Sequence, residues 1–416
     1  MAGTHLSPGS TSPDTWASSI GSACAEVAEP TDADRVDGVA PGLVARPAST
    51  EEVSEVLRAA AAHRLSVVPR GRGTKMTWGL PPRTADLVVD VSAMDRVLEH
   101  AAGELIVATQ AGARLSDVRE TLAAGGQRLA IDETVPGTTI GGALATNTSG
   151  PLRHVTGTAR DLLIGVTMVR ADGVVAKAGG RVVKNVAGYD IGKLLIGSLG
   201  TLGDVTEALF RVHPLPEVQR WVTVGTDDPA ATHDAVHAVV HSQAVPAAVE
   251  VDLPAGGQGT VSVLLAGQPD GVEGRVRTVS GLLGAHATTV EDAPAGWATY
   301  PWGAGETGLK LTFMLSGLRD VVAAAREAGV GLRGSAGTGV LYGSVADPGR
   351  AAAAVEQLRS VCGRHGGTLV VVDAPASVKR SVDVWGPVPA LDLMRRVKDR
   401  FDPDHRLSPG RFVGGI

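Results

Sequence analysis

A glycine-rich segment early in the chain carries residue types suited to binding an anion. It consists of Arg70, Gly71, Arg72, Gly73, Thr74 and Lys75, and it directly follows a run typical of a strand, Leu65 to Pro69. Two glycines one residue apart let the backbone fold tightly with its N–H groups towards a ligand, and Thr74 and Lys75 add donors. This segment, called loop 1 below, predicts contact with a phosphate-like group.

A second glycine-rich stretch, residues 136–150, is called loop 2. It leads into a helix of small residues, whose N-terminus would hold a phosphate and whose Gly141 and Gly142 would allow close approach. Neither loop has the G-x-x-x-x-G-K-[ST] or G-x-G-x-x-G nucleotide fingerprint, so Rossmann-type binding is not expected. Each loop alone fits an ordinary tight turn equally well. The candidate ligand residues of loop 2 are Pro136, Gly137, Thr139, Ile140, Gly141, Gly142 and Asn147.

The elements predicted around the loops are typical of an α/β arrangement. Ser49 and Glu52 have the spacing of a capping box, and a stripe at i, i+3, i+4, i+7 from Val53 to Ala60 predicts a helix. Asp172-Gly173 lies between two apolar runs and predicts a hairpin. Further runs predict strands at 86–91, 104–110 and 204–212 and a helix at 115–123, before the prolines of 213–216 mark a boundary.

Beyond that boundary, short strands alternate with alanine-rich helices. This alternation is typical of an α+β module in which helices cover one face of an antiparallel sheet. We therefore expect a disordered N-terminus at 1–38, a first domain at 39–216, a second, cap domain at 217–375, and a C-terminal tail at 376–416 that returns to the first domain. The fold class predicted for the chain is α+β.

Composition excludes several classes of function. The chain has 416 residues, 44% of them hydrophobic, and a net charge of −6, so it offers no basic stripe for nucleic acid. Cys24 and Cys362 fit neither a metal motif nor a disulfide framework. No export signal and no apolar run of about 18 residues is visible. We expect a cytoplasmic protein, with docking at a membrane through a partner left open.

The order of four segments resembles a known family. The segments are PRGRGT, VPGTTIGGALATNTSGP, RDLLIGV and KNVAGYDIGKLLIGSLGTLGDVTEAL. They are similar to the vanillyl-alcohol-oxidase-type, or PCMH-type, FAD domain over about residues 40–216. The resemblance implies two α/β subdomains that clamp FAD, with loops 1 and 2 on its pyrophosphate. It also implies that Asp161 lines the flavin cleft, unless it is a helix or turn cap, and that Gly200, Thr201 and the backbone of Val205 meet the flavin or adenine end.

Many members of that family attach FAD covalently through a histidine in or near the first loop. Positions 70–80 of this sequence contain neither histidine nor cysteine. We therefore expect FAD to be bound non-covalently.

Within the family, the segments 184–190 and 401–412 most resemble the FAD-binding E subunits of glycolate oxidases. The resemblance implies an FAD-dependent 2-hydroxyacid oxidoreductase that works with a paralogous FAD subunit and an iron–sulfur subunit. Leu199 and Ser408 depart from it, since Glu and Asn are usual there. The histidine-rich H-x-G-D-G-N-x-H motif of the related catalytic subunits is also missing. A non-catalytic electron-transfer subunit and a stand-alone D-lactate-type or alcohol or sugar oxidoreductase therefore stay open.

Oxidation of a 2-hydroxyacid needs a cation for the carboxylate and a base for the hydroxyl proton. Arg153, His154, Lys184 and Tyr189 are the candidates near the expected cleft, although core packing or an exposed loop explains them equally well. His233, His237 and His241 share a helix face at a spacing seen in metal sites. No acidic residue or cysteine nearby looks ready to complete a site, so no metal is expected.

Overall fold

The structure is a computed structural model that describes residues 13–181 and 190–416. Elements are numbered in chain order. The helices of its first half are α1 (Pro13–Ala23), α2 (Thr50–Ala62), α3 (Leu115–Ala123), α4 (Ile140–Thr146), α5 (Arg153–Thr156), α6 (Ala159–Leu162) and α7 (Ile191–Leu195). The strands are β1 (Val27–Ala28), β2 (Leu43–Ala45), β3 (Val67–Arg70), β4 (Leu87–Asp90), β5 (Val97–Ala101), β6 (Ile106–Gln110), β7 (Gln127–Arg128), β8 (Leu163–Val169), β9 (Val175–Gly179), β10 (Asp204–Arg211) and β11 (His213–Pro214).

The first half of the molecule contains two larger sheets and a two-stranded pair of β7 and β11. The first has the order β1-β2-β4-β3, with β2, β3 and β4 parallel. The second has the order β5-β6-β10-β8-β9 and is antiparallel. Loop 1 leaves the carboxyl end of β3, where ligands commonly bind in parallel sheets. Loop 2 contains α4, and this helix packs against β10 of the second sheet.

Helix α2 forms where the sequence pattern predicts it. The Ser49 hydroxyl accepts a hydrogen bond from the Glu52 amide at 3.1 Å, which satisfies one free donor of the first turn. Val53, Val56 and Leu57 are fully buried against the first sheet, as the i, i+3, i+4 stripe requires. The helix ends at Ala62, and the chain then turns into β3.

The N-terminal region corrects the expectation of disorder over 1–38. Residues 13–38 are ordered: α1 packs on α2, and the next segment contributes β1 to the first sheet. Ile20 is fully buried and Cys24 is 3% exposed. This region is polar overall, but α1 and the residue after it carry a short apolar face formed by Trp16, Ile20 and Cys24, which recur every four residues. Residues 1–12 lie outside the described part.

The second half is a single antiparallel sheet covered by helices. Its strands are β12 (Val218–Thr226), β13 (Ala248–Leu253), β14 (Gly259–Gly267), β15 (Thr288–Val290), β16 (Thr307–Thr312), β17 (Gly331–Ser335), β18 (Val340–Val345) and β19 (Leu369–Asp373). Their order in the sheet is β15-β12-β14-β13-β17-β18-β16-β19. The helices are α8 (Pro229–Val240), α9 (Pro269–Leu283), α10 (Leu318–Ala328), α11 (Ala351–Arg364), α12 (Ala376–Ser381) and α13 (Leu391–Phe401).

Strand alternation gives this sheet two unlike faces. Leu309, Leu311 and Leu341 point into the core shared with α8 to α11. The residues between and beside them, Lys310 and Tyr342, therefore lie on the opposite face, which turns towards the first half of the molecule. The predicted α+β class is thus confirmed, and the helix-free face of the sheet is the one available for a site.

The C-terminal segment lies against the first sheet. Leu407 pairs in parallel with Val67, whose amide donates to the Arg406 carbonyl at 2.8 Å. Lys398 and Asp402 form a fully buried ion pair at 2.7 Å, and Lys398 also donates to the Thr201 carbonyl. Lys398 thereby braces the turn before β10. Within the described residues, no helix has both the length and the apolar character needed to cross a membrane.

Candidate active site

Loops 1 and 2 enclose one cavity of about 750 Å³, called the loop cavity. This volume is within the usual range for cofactor sites, about 300–1,000 Å³. Its wall also includes Val91, Met76, Ser198, Leu199, Asp204 and Arg411. The predicted cofactor residues that line it are Arg70, Gly71, Arg72, Gly73, Thr74, Lys75, Thr139, Gly141, Gly142, Gly200 and Val205.

Loop 1 presents free backbone donors to this cavity. The amides of Gly71, Arg72, Gly73 and Thr74 make no hydrogen bond with the described part of the chain. Gly73 has φ +74°, a left-handed conformation that glycine adopts without steric penalty. Successive unpaired N–H groups around such a turn form an anion-binding concavity. Loop 1 therefore has the geometry of a pyrophosphate cradle.

Loop 2 uses its amides differently from the sequence-based expectation. Helix α4 has seven residues, and the Ile140 and Gly141 amides donate to the carbonyls of Ala113 and Ala111 at 2.8 and 2.7 Å. The Gly142 amide donates to the Thr139 hydroxyl at 3.2 Å. The first amides of this helix are therefore already occupied. Loop 2 shapes the wall of the cavity, while the free donors belong to loop 1.

Two buried cations line the same cavity. Lys75, 6% exposed, donates to the Thr138 hydroxyl at 2.7 Å, and burial lowers its pKa to about 7. Arg411, from the C-terminal segment, donates to the carbonyls of Met76 and Trp78, each at 2.8 Å. Burial lowers the pKa of Arg411 to about 10, with Asp37 acting in the opposite direction. An anionic ligand at loop 1 would thus lie near two cationic side chains, Lys75 of loop 1 and Arg411 of the C-terminal segment.

An aromatic chamber of about 710 Å³ adjoins the loop cavity, and the two share Thr146 and Leu199. Trp78 packs edge-on against Tyr300 with ring centroids 5.5 Å apart, and Tyr300 stacks on Trp302 at 4.5 Å. The chamber lies between the first half of the molecule and the helix-free face of the large sheet. Its lining residues are Trp78, Gly79, Thr146, Asn147, Gly197, Leu199, Tyr300, Lys310, Tyr342, Val370, Val371, Val372 and Trp385.

Arg153 and Tyr342 meet at the edge of this chamber. The Arg153 Nη2 group donates to the Tyr342 hydroxyl at 2.9 Å, and Arg153 also donates to the carbonyls of Ser149 and Gly150. Burial acts to raise the pKa of Tyr342, but Arg153 and Lys310 outweigh it, and the pKa lies below its usual value. Burial opposes the charge on Arg153, yet neighbouring Tyr342 raises its pKa above the usual value. The pair thus favours a polarised phenol beside a fixed cation.

A polar pocket of about 510 Å³ lies behind Tyr300 and Tyr342, which line it together with Arg153 and Glu250. Glu250 is 8% exposed, and its Oε1 atom has no hydrogen-bond partner among the described residues. Burial raises the pKa of Glu250 to about 8, although Ser335 and Arg153 act to lower it. Strand pairing sets Glu250 opposite Ser262, so both lie on the helix-free face.

Six predicted cofactor residues lie outside the loop cavity. Pro136 is exposed, Ile140 is buried in the core, and the Thr201 hydroxyl bonds to the Ser198 carbonyl. Asp161 is exposed and accepts hydrogen bonds from the Thr158 amide and hydroxyl. It therefore caps α6, which is the alternative given above to a position in the flavin cleft. Gly137 also lies apart from the cavity lining, whereas Asn147 lines the aromatic chamber.

The predicted catalytic residues have different outcomes. Arg153 lines the polar pocket behind the chamber and contacts Tyr342 of the chamber wall. Lys184 and Tyr189 lie outside the described residues. His154 packs against Gly337 and Val249, away from the chamber, and burial lowers its pKa.

Sequence reasoning missed the aromatic chamber, for which a signal was present. The chain has six tryptophans and three tyrosines in 416 residues, a low content. Four of these line the chamber, and Trp302 stacks on one of them. When aromatic residues are this scarce, the pair Tyr300 and Trp302 in a polar loop is itself a sign of a ligand site.

The three histidines at the predicted metal-site spacing lie on one face of α8 and its C-cap. His237 and His241 stack with centroids 3.9 Å apart, and His233 pairs with Asp234. No group of three or more histidine, cysteine or acidic residues is placed to hold a metal within residues 13–181 and 190–416.

Comparisons with known proteins agree with this geometry. Residues 41–179 match the FAD binding domain family. Glycolate oxidase subunit GlcD of Bacillus subtilis (strain 168) is 33% identical over 211 residues, which make up 50% of this chain and 45% of that subunit. The match thus spans about half of each protein.

Two further proteins match over most of their length. An uncharacterised FAD-linked oxidoreductase of Mycobacterium tuberculosis (strain CDC 1551 / Oshkosh) is 27% identical over 420 aligned positions, covering 90% of this chain and 91% of that protein. A chitooligosaccharide oxidase superposes with a TM-score of 0.66 and 19% identity over 94% of this chain and 97% of that one, which shows a shared fold. These matches confirm the FAD-binding domain predicted from the sequence: residues 41–179 match that domain family, and FAD is its cofactor.

Proposed function

We propose that this chain oxidises a small 2-hydroxyacid of the glycolate type at the edge of the aromatic chamber. The observation that carries the proposal is the contact between Arg153 and Tyr342, at 2.9 Å, where Tyr342 lines the chamber. Arginine is the side chain best suited to hold a carboxylate, because it offers two parallel donors. The partial match to a glycolate oxidase subunit supports the same class of substrate.

Arg153 has donors left for a substrate. Its Nε and Nη2 groups bond to chain oxygens, whereas Nη1 makes no hydrogen bond with the described residues. A carboxylate at Nη1 would lie beside the Tyr342 hydroxyl, since both groups belong to one cluster. Arg153 therefore fixes the acid end of the substrate and thereby its orientation.

Tyr342 is suited to take the proton of the substrate hydroxyl. Arg153 and Lys310 stabilise its phenolate form, and strand pairing places Lys310 directly opposite Tyr342. FAD, when bound, supplies the acceptor for the hydride that leaves C2. Loss of this hydride and of the hydroxyl proton together converts the 2-hydroxyacid into a 2-oxoacid.

Anaerobic mixing of the purified chain with glycolate tests the proposal. Bleaching of the flavin absorbance supports it. Arg153→Met is expected to weaken glycolate binding about 10- to 100-fold, from hydrogen bonds to a charged group of about 1.5–3 kcal/mol. Arg160→Met, an exposed arginine on the neighbouring helix, is the control and should leave bleaching unchanged.

A Tyr342→Phe variant separates binding from chemistry. The expected result is a bleaching rate lower by about 10²-fold or more, with little change in glycolate affinity, because a general base acts on the reaction step. Tyr300→Phe is the comparison: it removes a hydroxyl that helps to lower the pKa of Tyr342 but leaves the proton acceptor in place, so it should slow bleaching much less. Equal rates in wild type and Tyr342→Phe would remove Tyr342 from the mechanism.

A second candidate function is a subunit that relays electrons without oxidising the acid itself. The sequence lacks the histidine-rich motif of the related catalytic subunits, which favours this reading. Its partners would be a paralogous FAD subunit and an iron–sulfur subunit. Bleaching only after these partners are added supports the relay. Bleaching by D-lactate or a sugar alone instead indicates a stand-alone enzyme of the corresponding class.

A further inference from the structure

A buried carboxyl group without a partner lies in the wall of the loop cavity. Asp204, the first residue of β10, is 2% exposed. Its Oδ2 atom is fully enclosed, and no described residue donates a hydrogen bond to the side chain. Burying a charged carboxylate without donors is highly unfavourable, so the group must either carry a proton or bind a ligand.

The charges around Asp204 do not neutralise it. The nearest charged group is Asp90, a second carboxylate. Arg70, which lines the same cavity, already pairs with Asp34 at 2.8 Å and with Asp90 at 2.7 Å. Burial, and then Asp90, raise the pKa of Asp204 to about 8. The side chain is therefore mainly a neutral carboxylic acid at pH 7.

The remaining charged groups on the cavity wall are committed elsewhere. Lys75 donates to the hydroxyls of Thr138 and Thr74, and Arg411 donates to carbonyl groups near Trp78. Arg72 belongs to loop 1 and is exposed. None of these three side chains hydrogen-bonds to Asp204.

The position of Asp204 indicates which part of FAD it meets. The loop cavity joins the aromatic chamber at Thr146 and Leu199, whereas Asp204 lines only the cavity. With the pyrophosphate on the free amides of loop 1, the flavin ring must extend towards the chamber to reach a substrate there. The other half of the molecule, the adenosine, then occupies the side of the cavity formed by Val91, Asp204 and Val205.

We propose that the Asp204 side chain binds the adenine ring of FAD, accepting one hydrogen bond from the amino group and donating one to the adjacent ring nitrogen. A neutral carboxyl group offers a donor and an acceptor side by side, which complements this edge of adenine. Val91 and Val205 line the cavity beside it. The proposal rests on FAD as the cofactor and is independent of the substrate.

This pairing makes FAD affinity depend on pH. Ionisation of Asp204 removes its donor and adds a negative charge beside Asp90 and the pyrophosphate, so FAD affinity falls as the pH rises above about 8. Lys75 titrates in a similar range and acts in the same direction, because its charged form attracts the pyrophosphate. A reference variant that keeps Lys75 but cannot ionise at position 204 is therefore needed.

Titration of the apoprotein with FAD, followed by flavin fluorescence between pH 6 and 9.5, tests the proposal. Asp204→Asn keeps a donor and an acceptor, and it should bind FAD within a few-fold of wild type at pH 7. The ratio of the wild-type Kd to the Asp204→Asn Kd should rise above pH 8. Asp204→Val removes both hydrogen bonds and should weaken FAD binding roughly tenfold at pH 7.

FMN, which lacks the adenosine, provides the matched probe. Asp204→Val should leave the Kd for FMN unchanged, and a thermal melt of the apoprotein checks that this variant folds. The proposal is overturned if Asp204→Val weakens FMN and FAD equally, if it binds FAD as wild type does, or if the Kd ratio is flat with pH. Failure of glycolate oxidation with a normal Asp204 titration would count against the proposed function alone.

Discussion

Replacing Gly71 with alanine tests whether contact between loops 1 and 2 sets the FAD affinity. A Cβ atom at Gly71 would lie 2.3 Å from the Thr139 hydroxyl oxygen and 3.1 Å from its methyl group. Thr139 is the N-cap of α4, and its hydroxyl accepts from the Gly142 amide at 3.2 Å. The new methyl group must therefore displace the cap or separate the two loops.

The expected penalty follows from two contributions. Loss of a threonine cap costs about 0.5–2 kcal/mol, and overpacking by one methyl group costs about 1–3 kcal/mol. Together they amount to roughly 1.5–5 kcal/mol. The apoprotein relieves the clash by moving the loops apart, so FAD must close them again, and each 2 kcal/mol raises the Kd for FAD about 30-fold.

The assay is titration of the apoprotein with FAD. Gly103→Ala is the control, because no atom lies within 4 Å of the position of its new methyl group. The double variant Gly71→Ala/Thr139→Ala removes the clashing atoms and should bind FAD no worse than Thr139→Ala alone. If Gly71→Ala binds FAD within threefold of Gly103→Ala, the loop contact does not control affinity.

Three further outcomes follow from buried groups and from loop 1. Lys398→Met leaves Asp402 buried without its partner and should lower the free energy of unfolding in urea by about 3–5 kcal/mol. Arg395→Met is the control: it breaks an exposed pair with Asp392 and should cost less than about 1 kcal/mol. Equal losses in the two variants would contradict this prediction. The pKa of Glu250 is raised from its ordinary 4.5 to about 8 in the folded state, so the wild-type protein loses stability as the pH rises from about 4.5 to 8. Glu250→Gln cannot ionise, and its free energy of unfolding relative to wild type should therefore increase between pH 5 and 8. The exposed control Glu356→Gln should show no such increase. FAD should remain in the supernatant after acid precipitation, because the described residues that line the loop cavity include no histidine or cysteine. A yellow pellet would contradict non-covalent binding.

Regular elements with a strong local pattern were predictable from the sequence. Helix α3 begins and ends at the predicted residues, 115 and 123, and α2 buries the predicted stripe. The hairpin around Asp172-Gly173 pairs Val169 with Val175 as expected. In each case a cap, a turn or a periodic stripe determines the element within a few residues of sequence.

Features that depend on distant contacts were not predictable. Strand β17 has glycine at its first and fourth positions, and it is held between β13 and β18. Helix α1 depends on packing against α2 rather than on its own composition. The free amides of loop 1 and the occupied amides of loop 2 likewise result from where Ala111 and Ala113 lie. The sequence shows that both loops are flexible enough for an anion, but not which one retains its donors.

The two departures from the family pattern lie where the backbone is strained. Leu199 has φ +52° and Ser408 has φ +44°, a left-handed conformation that costs a residue with a Cβ roughly 1–2 kcal/mol. Leu199 borders both the loop cavity and the aromatic chamber, and Ser408 touches the position of Gly200. The buried Lys398 holds this turn by donating to the carbonyls of Thr201 and Leu407. Strained conformations persist only where the surroundings enforce them. The C-terminal segment therefore fixes the turn that borders both the loop cavity and the aromatic chamber.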